Sequence, residues 1–119
     1  MLAAANRLTH RSDFALVARR GIRAGRSPIV VQLRSVNPDN QDPPQVGLVV
    51  GRAVGSAVVR NKVKRRLRHL AAQRLDLLPA GSSMLIRAAP AAAQCNFQEL
   101  SAELDRNLAA LLRRVGARS

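Results

Sequence analysis

Tryptophan and tyrosine are absent from this sequence, and phenylalanine occurs only as Phe14 and Phe97. The core of a 119-residue chain must then be packed from Val, Leu, Ile and Ala, which an apolar content of 47% supplies. That length suits one modest core and is too short for two, so residues 1–119 are read as a single domain. The lone cysteine, Cys95, excludes an internal disulfide and is expected to be a small buried apolar side chain. His10 and His69 stand far apart, which leaves no ligand cluster for a resident metal. No apolar run approaches the roughly eighteen residues of a membrane span, and the opening MLAAANRLTHR lacks the apolar stretch of a signal peptide. A cytoplasmic chain with no membrane partner is expected.

Acidic residues are the most telling shortage: seven Asp and Glu face twenty Lys and Arg, for a formal net charge of +13. Self-repulsion of this size is normally retained where a polyanion neutralises it, so nucleic acid is the leading partner, ahead of an anionic membrane surface or a role in solubility alone. From Pro43 to Leu75 there is no acid, while Arg52, Arg60, Lys62, Lys64, Arg65, Arg66, Arg68 and Arg74 all fall inside that stretch. The few acids include no close pair in the basic half that could hold catalytic metals; Asp39 and Asp42 sit in a proline-rich loop, and neither histidine stands in a catalytic motif. No catalytic residue and no metal ligand is assigned. The chain by itself reads as a binder.

Hydrophobic periodicity gives the order of elements. Ser12-Asp13 as an N-cap, the stripe Phe14, Val17, Ala18 and the stop at Gly21 predict a helix over Ser12 to Arg20. Ile29 to Leu33 and Val46 to Val50 read as two adjacent antiparallel strands around the polar loop Asn37–Pro44, with a weaker strand signal over Ile22 to Arg26. Ser56 caps a helix expected to run to about Leu77, on which Val59, Val63, Leu67 and Leu70 fall within an arc of about 80°. Only that narrow stripe can be buried. Arg60, Lys64 and Arg68 border it on one side and Lys62 and Arg66 on the other, with Asn61 and Arg65 nearly opposite. Ser83 to Arg87 reads as a strand, and Asn96 as the cap of a last helix carrying Leu100, Leu104, Leu108 and Leu111 on one face. The resulting order is α, two or three β, α, β, α, a layered α+β domain with helices packed on a small mixed sheet.

A solvated helix usually mixes charge signs, placing Glu four residues before Lys; here that compensation is missing, and phosphate contact is the better explanation. Of the twenty cations only Lys62 and Lys64 are lysine. The planar fork of arginine suits bidentate phosphate contacts and stacking on unpaired bases, which leans toward structured RNA and leaves DNA allowed.

Gly47-Leu48-Val49-Val50, then Arg52, Gly55, Ala57-Val58, Arg60-Asn61, Lys64-Arg65 and Arg68, resemble the signature of the bacterial ribonuclease P protein family: a V-G-[LI]-x-V strand, a K/R-x-x-G-x-A-V turn and a helix R-N-x-x-K-R-x-x-R. The spacing matches without a gap, and Asn6-Arg7-Leu8, Asp13-Phe14 and a late strand ending near Pro90 agree with it. The resemblance implies a subunit of the ribonucleoprotein endonuclease that removes the 5′ leader of precursor tRNA. It further implies that catalysis is carried by metal ions on the RNA subunit, that Mg2+ is required by the holoenzyme, and that the protein alone is inactive. The implied partners are the catalytic RNA subunit and precursor tRNA, the free chain being a monomer. The resemblance implies the family fold, an α+β two-layer α/β sandwich in the order α-β-β-β-α-β-α with a small mixed sheet, in which the basic helix lies in a left-handed crossover, an exception to the usual rule.

By position, the resemblance assigns RNA binding to Arg52, Arg60, Asn61, Lys64, Arg65 and Arg68, with Lys62 at the variable position, and a leader cleft to Phe14, Val17, Val31 and Arg52. Ala18 and Val31 stand where relatives often carry aromatics, which reduces the stacking on leader bases worth roughly 1–3 kcal/mol per base. The late strand carries Arg87 near a family basic position. A ribosomal or RNA-chaperone protein would share the charge and layering without needing this register. A DNA-binding regulator would need a helix-turn-helix, for which there is no signal.

Overall fold

A computed structural model describes residues 2–35 and 39–118 of the chain. In order they form α1 (Arg11–Arg20), β1 (Ile22–Ala24), β2 (Ile29–Arg34), β3 (Gln45–Val49), α2 (Ala57–Ala72), β4 (Ser83–Ala88) and α3 (Phe97–Arg118), the expected α-β-β-β-α-β-α sequence. Of the polar loop expected over Asn37–Pro44, Asn37 and Pro38 lie outside the described residues.

The sheet order is β1-β2-β4-β3. β2 and β3 are therefore not neighbours, which corrects the expected pairing. β4 enters between them, antiparallel to β2 and parallel to β3. Its Met84, Leu85 and Ile86 are buried on both faces of the sheet, a run that fits only a central strand. On one face Ile29, Val31, Leu33, Met84 and Ile86 meet Val63, Leu67 and Leu70 of α2 and the α3 row Leu100, Leu104, Leu108 and Leu111 in the main core. Each such side chain removed from water contributes about 1.5–3 kcal/mol. The other face carries a smaller cluster of Leu8, Val17 and Leu85, with Phe14 and Val49 packed against it, so α1 covers that side. The N-terminal Asn6-Arg7-Leu8 runs along the β3 edge: the Leu8 amide donates to the Val46 carbonyl and Asn6 Nδ2 to the Pro44 carbonyl, both at 2.9 Å. That shields part of an otherwise open strand edge.

Helix ends differ from expectation in two places. His10, not Ser12, is the N-cap of α1, with no side-chain bond closing the turn. α2 stops at Ala72, short of Leu77, because Arg74 turns back: its guanidinium donates to the Leu70 carbonyl at 2.9 Å, to Ser101 Oγ at 2.7 Å and to Asp105 at 2.6 Å. A separate turn, Leu75–Leu77, follows. At the start of α2, Ser56 Oγ accepts from the Val59 amide as predicted. The cap of α3 is reciprocal, Asn96 accepting from the Glu99 amide at 2.8 Å and Glu99 from the Asn96 amide at 3.0 Å. Cys95 is half-buried rather than buried, because the short turn Pro90–Gln94 brings it to the surface beside α3.

Candidate nucleic-acid interface

The basic helix is reached through a turn that only glycine can make. After β3 the chain forms a tight turn at Arg52–Val54, and Gly55 follows with φ of 154°. A Cβ on Gly55 would also stand 3.0 Å from Val59 Cβ. This turn sets Ser56 at the cap and aims α2 across the sheet.

Along α2 the buried residues are Val63, Leu67, Leu70 and Ala71. The stripe read from the sequence thus faces the core, while Val59 only borders it. Asn61, Lys62 and Arg65 are exposed; Arg60, Lys64 and Arg68 are half-buried along the flank, as their position beside the stripe requires. None of the six forms an ion pair among the described residues. Arg60 Nε is buried without a hydrogen-bond partner. Arg52 is exposed in the turn ahead of the helix, and Val58 in the first turn is 78% exposed, a large apolar side chain left open beside the cations.

Not every cation of the basic stretch is free. Arg66 Nη1 donates to the Cys95 carbonyl at 2.7 Å, tying α2 to the segment before α3, and Arg74 is held by Asp105 and Ser101. The Arg74 hydrogen bond holds the Asp105 carboxyl below the usual aspartate range against the opposing effect of partial burial, with the arginine's charge adding to the depression. The Cys95 thiol is pushed above its ordinary value by burial first and by Glu99 and Glu103 second. His69 packs against Phe97 with ring centres 5.6 Å apart, so it too belongs to the α2–α3 contact.

A groove of about 220 Å³ opens where α1, the β3 edge and α2 meet. Phe14, Arg7, Thr9, Leu48, Lys64 and Arg68 line it. Phe14 is half-buried: its ring packs on Gly47 and still faces the groove. The other proposed cleft residues are elsewhere. Val31 is fully buried in the main core on the opposite face of the sheet, because residues alternate sides along β2. Val17 is 1% exposed beneath α1 against Leu85, and Arg52 lies outside the groove. Arg7 and Thr9 join the groove through the extended N-terminal segment; the Asn6-Arg7-Leu8 motif was the available signal, but nothing local could show that it lies against β3. Arg87 is exposed on the central strand, on the α1 side of the sheet and in register with Val30 and Val49.

Among the described residues no three His, Cys, Asp or Glu side chains come together to hold a metal ion, and no helix is long and apolar enough to cross a membrane. The site offers cations, one amide and an apolar groove, a set of groups whose chemistry suits a phosphate backbone.

Comparison with known proteins shows the family and the fold. The ribonuclease P component of Streptomyces avermitilis is 50% identical over 118 residues, covering 94% of this chain and 96% of that one. The ribonuclease P component of Acidothermus cellulolyticus is 50% identical over 111 residues, with 93% and 92% covered. Among solved structures, the RNase P protein of Staphylococcus aureus shares the fold at a TM-score of 0.78 and 22% identity, over 89% of this chain and 94% of that one. The Thermotoga maritima RNase P protein matches at a TM-score of 0.71 and 27% identity, over 90% and 96%. The sequence profile of the Ribonuclease P family matches residues 2–113, and with half-identical relatives over nearly its whole length the chain belongs to the ribonuclease P protein family.

Proposed function

We propose that this chain, a tRNA-processing subunit by its family, acts by holding RNA and performs no bond cleavage of its own. Arg52 and the α2 set Arg60, Asn61, Lys62, Lys64, Arg65 and Arg68 bind the RNA subunit through backbone phosphates. The groove beside Phe14 receives the single-stranded 5′ leader of precursor tRNA. Hydrolysis is carried by Mg2+ held on the RNA, and the protein needs no cofactor; its cations reduce the magnesium needed to screen phosphates brought together in the complex. The free chain works as a cytoplasmic monomer. The observation that carries this reading is that, among the described residues, the six α2 side chains have no ion-pair partner and the buried Arg60 Nε no hydrogen-bond partner, beside a groove with an aromatic wall.

The test is cleavage of precursor tRNA by RNA subunit alone, protein alone and both together across a magnesium series. The expected outcome is no cleavage by RNA-free protein and a lower magnesium midpoint with both. Cleavage by the protein alone overturns the reading.

A further inference from the structure

The sheet order places β1 and β3 at opposite edges, and α2 packs beside β3. At the far edge a second group of cations gathers from four elements, the consecutive α1, β1 and β2 and the distant α3. α1 ends in Arg19 and Arg20, and Gln32 Nε2 donates to the Ala18 carbonyl at 3.0 Å, holding that last turn on β2. Arg23 pairs with Gln32 in the ladder, so it stands on the same face as the end of α1, and Arg34 follows two residues along β2 on that face. From the other face Arg114 Nη1 donates to the Arg23 carbonyl at 2.9 Å, which fixes the C-terminal part of α3, where Arg113 is the adjacent residue, at the β1 edge. Arg19, Arg20, Arg23, Arg113 and Arg114 are exposed and Arg34 is half-exposed; none forms an ion pair among the described residues.

Helix-dipole stabilisation explains Arg19 and Arg20 in the last turn of α1. It does not explain Arg23 and Arg34, which sit on strands, or Arg113 and Arg114, which lie ahead of the last turn of α3. We infer that the β1 edge is a second RNA-binding surface, which takes the phosphate backbone of a segment different from the one engaged by α2, so that one small subunit clamps two RNA segments across the width of its sheet. This rests on the RNA-binding reading of α2. Arginine forks on an exposed edge fit phosphates by charge and geometry without reading base edges.

The test uses the full chain assembled with ribonuclease P RNA and precursor tRNA. In the variant Arg19→Gln/Arg20→Gln/Arg23→Gln/Arg113→Gln, the slope of log K against log salt should flatten by about 0.7–0.9 for each phosphate no longer neutralised. Hydroxyl-radical footprinting of both RNAs should lose protection in a segment other than the one lost in Lys64→Ala/Arg65→Ala, and shows which RNA supplies it. Because the quadruple variant could fold poorly, a benzophenone photocrosslinker at position 20 of the otherwise unchanged chain is the second arm. It should crosslink to RNA, while the same group at position 103 should not.

An unchanged salt slope with a complete footprint, no RNA crosslink from position 20, or a preference of this edge for phosphatidylglycerol vesicles over RNA overturns the inference. If the α2 variant loses its footprint while the edge variant keeps every protection, the second surface is refuted and the α2 reading stands. If neither loses any protection, both fail.

Discussion

The ring of Phe14 rests on the backbone of Gly47: a Cβ at that glycine would stand 2.6 Å from Phe14 Cε1 and 2.8 Å from Cζ. The contact makes the first helix and the β3 edge one wall of the groove, and it explains why an otherwise apolar strand carries a glycine there. Gly47→Ala must push the ring outward. The expected cost is about 1–3 kcal/mol of stability, read by thermal melting, together with weaker binding of precursor tRNA carrying a leader.

Phe14→Ala tests the same wall from the other side. Because the ring is half-buried, the variant should lose less than the roughly 3–5 kcal/mol of a fully buried phenylalanine. It should bind the RNA subunit normally and lose affinity for precursor tRNA with a leader of several nucleotides, while mature tRNA binds as before. Direct binding measurements with both tRNAs check this; equal loss for both would mean that the ring serves only packing.

Neighbouring cations on α2 should behave differently. Arg65 is exposed and without an ion pair among the described residues, whereas Arg66 is bonded to the Cys95 carbonyl. Arg65→Ala should flatten the slope of log K against log salt for RNA binding by about 0.7–0.9 with the melting temperature unchanged. Arg66→Ala should instead lower stability by about 1–3 kcal/mol, because the Cys95 carbonyl is left without its donor. Salt titrations and melts of the two variants side by side decide the assignment.

The Arg74–Asp105 pair predicts a pH dependence. The folded-state pKa of Asp105 is depressed, so its contribution is fully present above the ordinary aspartate range, near 3.9, and is lost as pH falls through the lower folded value. The half-exposed carboxylate makes the contribution modest. Asp105→Asn should slightly lower the melting temperature at neutral pH and remove part of the acid-side loss, as melts from pH 7 down to pH 2 will show.

Cys95 gives a final check on its surroundings. With its pKa raised by burial and by Glu99 and Glu103, alkylation by iodoacetamide should be slow at neutral pH and should accelerate only above the ordinary thiol range. Glu99→Gln should speed the reaction at a given pH, followed by mass spectrometry.

Much of the fold and of the basic surface was legible along the chain because it depends on neighbours in sequence. The 3.6-residue spacing of Val63, Leu67 and Leu70 decides which face of α2 can be buried, and so which cations stay outside. The caps at Ser56 and Asn96 and the glycine turn at Gly55 are equally local. The tertiary structure decided what depends on contacts between distant segments. β4 lies between β2 and β3 because its apolar run needs cover on both faces. That arrangement then settles which side of β2 each residue takes, sending Val31 to the core and Gln32 to α1. It also decides which arginines are spent on structure: Arg65 and Arg66 are adjacent in sequence and chemically identical, and only the arrival of the Cys95 carbonyl beside one of them separates a free cation from a structural tie.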